Sequence, residues 1–147
     1  MVHSRSSGFT LLELVVVLFI LGLAYAVAGP LLGDNVSGLD LKAASRQLAA
    51  GLRKARGIAV TERGQTVLTL DVDGRKFSIS GDAKIYDLPK KLDYSLFTAQ
   101  SEISQEKIGS IRFFPDGSST GGRITVSAGE ARQAVDVDWV TGKVQVL

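Results

Sequence analysis

The hydrophobic pattern divides the chain into stretches of different period. Residues 1–8 are polar. Residues 9–33 carry one charge, Glu13, and residues 14–33 are a charge-free run of 20. At roughly 1.5 Å per residue, a helix of that run spans about 30 Å, the thickness of a bilayer core. From Asp34 the pattern changes. Leu41, Ala44, Leu48, Leu52, Ala55 and Ala59 recur at helical spacings, which predicts a second helical stretch over 34–60 with an alanine-rich stripe packed closely on a sheet. Gly38 and Gly51 weaken that helix.

From Gln65 the period falls to two. Val67, Leu68, Leu70 and Val72 precede Asp73-Gly74, and Phe77 and Ile79 come next; the pattern predicts a hairpin with a tight Asp-Gly turn. Leu92, Tyr94 and Leu96 alternate again, and 101–107 reads as a loop. Ile111 to Phe114 predicts a strand, halted by Pro115-Asp116-Gly117, an order that suits a type I turn. Ile124 and Val126 form the next strand. Val135, Val137 and Trp139 are expected on one face, with Asp136 and Asp138 on the other. Thr141-Gly142 is a turn before Val144 and Val146. The expectation is α+β: a helix, then seven or eight short antiparallel strands over 65–147.

Composition narrows the chemistry. The 147 residues hold 45% apolar and 22% charged positions with net charge +2, which suits one folded domain beyond the apolar segment. Cysteine is absent, so disulfides and thiolate chemistry are excluded. The one histidine, His3, lies in the polar leader, which leaves Ser118 and Ser119 without a histidine base and rules out a multi-histidine metal site. Asp71 and Asp73 resemble a metal pair, but no further ligands stand at suitable spacing, so they read as turn and solvent-facing residues. The loop from Asp116 to Thr120 lacks the Lys-Ser/Thr pair of a phosphate loop. Arg46, Arg53, Lys54 and Arg56 lie mostly off the apolar stripe and read as a solvated helix face rather than a nucleic-acid patch. No enzyme, cofactor, metal or small-molecule substrate is expected.

Arg5 before the apolar run favours a cytoplasmic N-terminus and export of the downstream chain. Ala26-Val27-Ala28 before Gly29 would suit a cleaved secretory signal and a soluble periplasmic protein. Glu13 argues against it. A carboxylate near the head of an apolar helix costs about 2.5–3.5 kcal/mol on insertion scales, a cost a discarded signal has no reason to carry. A helix packed beside copies of itself recovers it if a positive group meets the carboxylate. Cleavage between Gly8 and Phe9 would create one, an amine four residues before Glu13.

Gly8-Phe9-Thr10-Leu11-Leu12-Glu13 followed by about twenty apolar residues resembles the class III signal of type IV pilins and type II secretion pseudopilins. The resemblance implies cleavage after Gly8 by a prepilin peptidase, methylation of Phe9 by the same enzyme, and an assembly role for Glu13. Pro30 sits where pilin helices often carry a proline and is expected to kink the helix. Gly22 and Gly29 suit either close helix approach or simple tolerance in lipid. The segment from Ile111 through Pro115-Asp116-Gly117 and its Ser/Gly-rich loop to Ile124, with the closing Asp138-Trp139-Val140-Thr141-Gly142-Lys143-Val144, is similar to the H-type pseudopilins (the GspH/FimT group). Phe113 and Phe114 both precede the proline, and the sequence leaves open which fills the core.

The resemblance implies an inner-membrane minor pseudopilin: leader 1–8, transmembrane and assembly helix 9–33, and a periplasmic β-sandwich-like pilin domain 34–147. It would stand at or near the tip of a periplasmic pseudopilus that helps export folded proteins across the outer membrane. Its partners would be other major and minor pseudopilins. A second reading is a FimT-like minor pilin of type IV pili that binds DNA during uptake. Removal of residues 1–8 leaves 16 basic against 15 acidic residues, a poor electrostatic footprint for nucleic acid.

Overall fold

The structure, a computed structural model, describes residues 9–98 and 107–147, without the side chains of 27–37. Helix α1 runs from Leu11 to Thr61, 51 residues in one element. The helical stretches expected over 9–33 and 34–60 are parts of this one long helix. Helical backbone continues through Pro30 and Asp34; a proline deletes one ladder N–H, and the leucines after it are good helix formers. The kink expected at Pro30 falls where side chains lie outside the described residues. The chain forms two compact units, Met1–Val36 and Ser37–Leu147.

In the second unit the helical stripe is the inner wall of the core. Leu41, Ala44, Leu48, Leu52, Ala55 and Ala59 are all buried, joined by Ala49 and Ser45. Ser45 satisfies its buried hydroxyl by donating to Leu41 O at 2.9 Å. Gly51 explains why a weak helix former stands inside this helix. A Cβ there would lie 2.5 Å from Phe77 Cε2 and 2.9 Å from Cζ, so only glycine admits the ring so near the backbone. The helix ends in a Schellman motif: Arg63 takes a left-handed φ of 51°, and Gly64 N–H reaches back to Ala59 O at 3.2 Å.

Two four-stranded antiparallel sheets share this core. The strands are β1 (Thr66–Asp71), β2 (Lys76–Ile79), β3 (Ile85–Asp87), β4 (Asp93–Phe97), β5 (Ile108–Phe113), β6 (Gly122–Ala128), β7 (Ala131–Val137) and β8 (Val144–Val146). One sheet has the order β3-β2-β1-β5 and the other β4-β6-β7-β8. The chain therefore leaves the first sheet for β4, returns for β5, and leaves again for β6. Alternation works as the period predicts: Leu68 and Leu70, Phe77 and Ile79, Ile111 and Phe113, Ile124 and Val126, and Val135 and Val137 point into one cluster with the helix. Each such side chain, removed from water, contributes about 1.5–3 kcal/mol. Phe113 fills the core at 0% exposure, and Phe114 is half-buried.

Three local expectations are corrected. The β1–β2 connection is a four-residue loop, since Asp71 pairs with Lys76. Asp71 Oδ1 accepts from Gly74 N at 2.7 Å, and the left-handed residue is Arg75, φ 49°, not Gly74; the side-chain bond at Asp71 supports a wider turn than Asp-Gly alone would form. Strand β3 was not legible in the alternation, because Ile85 is exposed and its neighbours are polar. Finally, β7 stops at Val137, and Trp139 is 68% exposed rather than facing inward with Val135. Asp138 ends the strand: its carboxylate accepts from Val140 N, Thr141 N and Thr141 Oγ1, folding the chain into a turn.

Edge strand β3 is clipped to the helix by side chains. The Tyr86 ring stacks on Phe77 at 4.7 Å with the planes 4° apart. Its hydroxyl donates to Asp82 at 2.8 Å, and Lys54 Nζ reaches the same carboxylate at 2.6 Å. Lys54 holds the Asp82 carboxyl down at about 2, with Tyr86 and the Lys84 N–H adding to the effect. At the other wall, burial pushes the Tyr94 hydroxyl up to about 12, and it donates to Pro89 O at 3.1 Å.

This packing generates two expected outcomes. Gly51→Ala improves helix propensity by about 1 kcal/mol but overpacks the Phe77 ring, at a cost of about 1–3 kcal/mol. Phe77 cannot turn aside, because it is buried and stacked on Tyr86; thermal melting of the second unit is expected to fall by several degrees. The depressed Asp82 carboxyl stabilises the fold above its unfolded value of 3.8, and that contribution disappears as pH falls toward about 2. Melting measured against pH is expected to decline across that acid window, and less steeply in Asp82→Asn.

Candidate functional site

The functional candidates of the first unit begin at Phe9, which is 75% exposed. Gly8, the residue before the expected cleavage, lies outside the described residues. Thr10 is the helix N-cap. Its carbonyl accepts the first helical bond from Leu14 N at 3.2 Å, and its Oγ1 accepts from Glu13 N at 3.3 Å. Glu13 is therefore the third helical residue after the cap, and Thr10-Leu11-Leu12-Glu13 has the sequence of a capping box. The carboxylate also stands in the first turn, where the positive end of the helix dipole favours it. The Ser/Thr-x-x-Glu spacing ahead of an apolar run is the sequence signal for this role, and reading Glu13 by its charge alone misses it.

Beyond Glu13 the helix shows no amphipathic stripe. Leu14, Val15, Val16, Val17, Leu18, Phe19, Ile20 and Leu21 are consecutive and all exposed, from 43% at Val17 to 66% at Phe19. A helix apolar all round is stable only when lipid or other helices cover it. Among the described residues no helix is long and apolar enough to cross a membrane; the described side chains of this segment end at Ala26. The charge-free run itself is a property of the sequence over 14–33.

The second candidate region is the loop between β5 and β6. Gly117 N donates to Phe114 O at 2.9 Å, closing a four-residue turn with Pro115 and Asp116 at its centre. Asp116 Oδ1 accepts from Ser118 N at 3.0 Å and Ser118 Oγ at 2.6 Å, and those bonds hold its carboxyl below the usual carboxylate range. Ser119 then joins this loop to the β7–β8 turn. Its N–H donates to Trp139 O at 2.9 Å, its hydroxyl donates to Asp138 O at 3.1 Å, and the same oxygen accepts from Gly121 N. Arg56 Nε braces the loop from the helix, donating to Gly117 O at 3.1 Å. These bonds commit the Ser-rich stretch to fastening turns and strands together.

Between the two sheets, Phe97, Gly122, Arg123, Asp136 and Trp139 help line a cleft of about 970 Å³. Arg123 Nε pairs with Asp136 Oδ1 at 3.0 Å inside it. The aromatic rims, Phe97 and Trp139, are 64% and 68% exposed. Asp73, the candidate metal partner of Asp71, pairs with Lys107 at 2.5 Å instead. Among the described residues no group of three or more ligating side chains could hold a metal ion.

The chain is similar to known proteins in sequence and in fold. Residues 44–142 match the family of type II transport protein GspH, and residues 3–28 match the prokaryotic N-terminal methylation motif. The chain is 34% identical over 144 residues to type II secretion system protein H of Xanthomonas campestris pv. campestris, an alignment spanning 98% of this chain and 85% of that protein. In fold it is similar to the minor pseudopilin EpsH of Vibrio cholerae, with a TM-score of 0.57 at 13% identity over 74% of this chain and 96% of the other. It is equally similar to the type IV minor pilin FimU of Pseudomonas aeruginosa, with a TM-score of 0.57 at 17% identity over 73% and 87%.

The N-cap is testable at one amide. Thr10→Ala removes a cap worth about 1 kcal/mol, so hydrogen exchange at the Glu13 N–H is expected to quicken about fivefold. Thr10→Ser is expected to retain wild-type exchange. The measurement is made on the full chain in detergent micelles.

Proposed function

The chain belongs to the GspH family of type II transport proteins, and from that premise we propose that it is a minor pseudopilin of the type II secretion system. The observation that carries this reading is the pairing of two features in one chain. A β domain of the family follows a helical stretch whose side chains from 14 to 26 are exposed and uncharged, with a single carboxylate, Glu13, at its head. That combination suits a subunit stored in lipid and then transferred to a bundle of like helices.

The chemistry gives a working sequence of events. Prepilin peptidase cleaves after Gly8 and methylates the Phe9 amine. The segment 9–33 lies in the inner membrane with the leader on the cytoplasmic side and the domain 34–147 in the periplasm. Extraction into the pseudopilus then exchanges lipid contacts for helix contacts among major and minor pseudopilins. Glu13 guides that exchange, because its carboxylate is better matched by the amine of an adjoining subunit than by acyl chains. Pro30 loosens the helix so that it follows the bundle's curvature. The β domain is carried outward near the filament tip, where it helps move folded proteins toward the outer-membrane channel. Catalysis has no place in this sequence of events, and the turn at Pro115, Asp116 and Gly117 serves the domain's architecture.

Glu13→Ala tests the reading. Membrane insertion is expected to persist or improve, since a costly carboxylate is gone. Co-purification with the other pseudopilins is expected to fall about tenfold, the size of one lost charge-assisted pair. Association equal to wild type would contradict the role given to Glu13.

A further inference from the structure

A second groove, of about 440 Å³, lies where α1 meets the β7–β8 turn, lined by Arg53, Arg56, Thr141, Gly142, Lys143 and Val144. Its polar lining is dominated by cations. The ion pairs formed among the described residues use Lys54, Lys107 and Arg123, so none of the three cations here has a described carboxylate within 4.0 Å. The guanidiniums are held instead by main-chain carbonyls. Arg53 Nη2 donates to Val144 O at 3.3 Å, and Arg56 Nε donates to Gly117 O at 3.1 Å. Each contact uses one donor of five. The arginines are thus oriented in advance, which lowers the entropy lost when a ligand arrives.

The floor of the groove is built to keep this arrangement. Gly142 takes a φ of 62°, and a Cβ there would meet Gly117 O as well as Arg56 Nε at 3.0 Å. The glycine lets Arg56 pass between the two turns. The nearby carboxylates are already committed within those turns. Asp138 accepts from Val140 N, Thr141 N and Thr141 Oγ1, and Asp116 accepts from both the N–H and the hydroxyl of Ser118.

We infer that this groove receives a carboxylate-bearing segment of a neighbouring pseudopilin. Charge complementarity selects an acidic ligand: two oriented guanidiniums with unused N–H donors and an ammonium line one groove, and carboxylate oxygens accept from such donors. The carboxylates of the two turns framing the groove, Asp116 and Asp138, disfavour a ligand as long and as densely charged as a phosphate backbone. The inference rests on the assembly reading above, which supplies neighbouring pseudopilins as the partners.

The test uses the full chain co-expressed in membranes with the major pseudopilin of the same organism. Arg56 is left in place, since it braces two turns. Arg53→Gln with Lys143→Gln is expected to reduce co-purification of the major pseudopilin about tenfold at physiological salt, with thermal melting unchanged. Lys143→Gln alone, at a side chain with no described hydrogen bond or ion pair, is expected to weaken association with melting unchanged, which a purely structural bond from Arg53 to Val144 O does not predict. If wild type associates and the double variant associates equally, the groove proposal is overturned while the assembly reading stands. If wild type itself fails to associate, both fall. Binding of duplex DNA or phosphatidylglycerol vesicles that depends on Arg53 and Lys143, with subunit association unchanged, assigns the groove to phosphate and also overturns the proposal.

Discussion

A single carboxylate at the head of an otherwise uncharged stretch of sequence, residues 9–33, sets the terms for this protein. Glu13 stands in the first turn of α1, ahead of a run that stays free of charge from residue 14 to 33. At the centre of a membrane helix an acidic side chain costs about 2.5–3.5 kcal/mol, and a place in the first turn with the helix dipole returns about 0.3–1 kcal/mol. The dipole therefore reduces the cost without removing it. What remains is a driving force toward any environment that supplies a positive partner. The Thr10 cap matters here because it fixes where the helix starts, and hence where on the first turn the carboxylate stands.

The second unit answers a different demand. Its helix must approach a sheet closely and leave its outer face free, and the residues chosen are small. Alanines at 44, 49, 55 and 59 and glycine at 51 bring the backbone near Phe77 and its neighbours. The strands then alternate between the sheets, so neither sheet can form completely until β4 and β5 have found partners in opposite sheets. Ser119, Asp138 and Arg56 fasten the later crossing by side-chain bonds to main-chain atoms. These bonds tie the β5–β6 loop and the β7–β8 turn to each other and to the helix.

Sequence periodicity made the inner faces readable. The helical stripe and the alternating pairs from Leu68 to Val137 are local patterns, and burial tracks them residue by residue. Three things escaped because their causes are not periodic. Strand β3 is short and exposed, held by pairing to β2 and by the Tyr86 clip rather than by burial of its own. Trp139 looked like the next inward residue of β7, but Asp138, a turn-former by its side-chain bonds, ends the strand. The length of the β1–β2 loop depended on Asp71 capping Gly74. Strand order was not legible at all, since pairing of β1 with β5 joins residues distant in the chain, Thr66 with Phe113 and Asp71 with Ile108. At the N-terminus the signal around Gly8 to Glu13 was legible as chemistry, while the capping geometry of Thr10 required attention to spacing rather than charge.

The amine that would neutralise the carboxylate exists only if the chain is cut immediately before Phe9. Intact-mass analysis of the native protein, taken from the membranes of the organism that makes it, measures that directly. The account predicts a polypeptide beginning at Phe9 and carrying one added methyl group. A polypeptide beginning at Gly29 and recovered free in the periplasm would contradict it, because both the carboxylate and its partner would then have been discarded together.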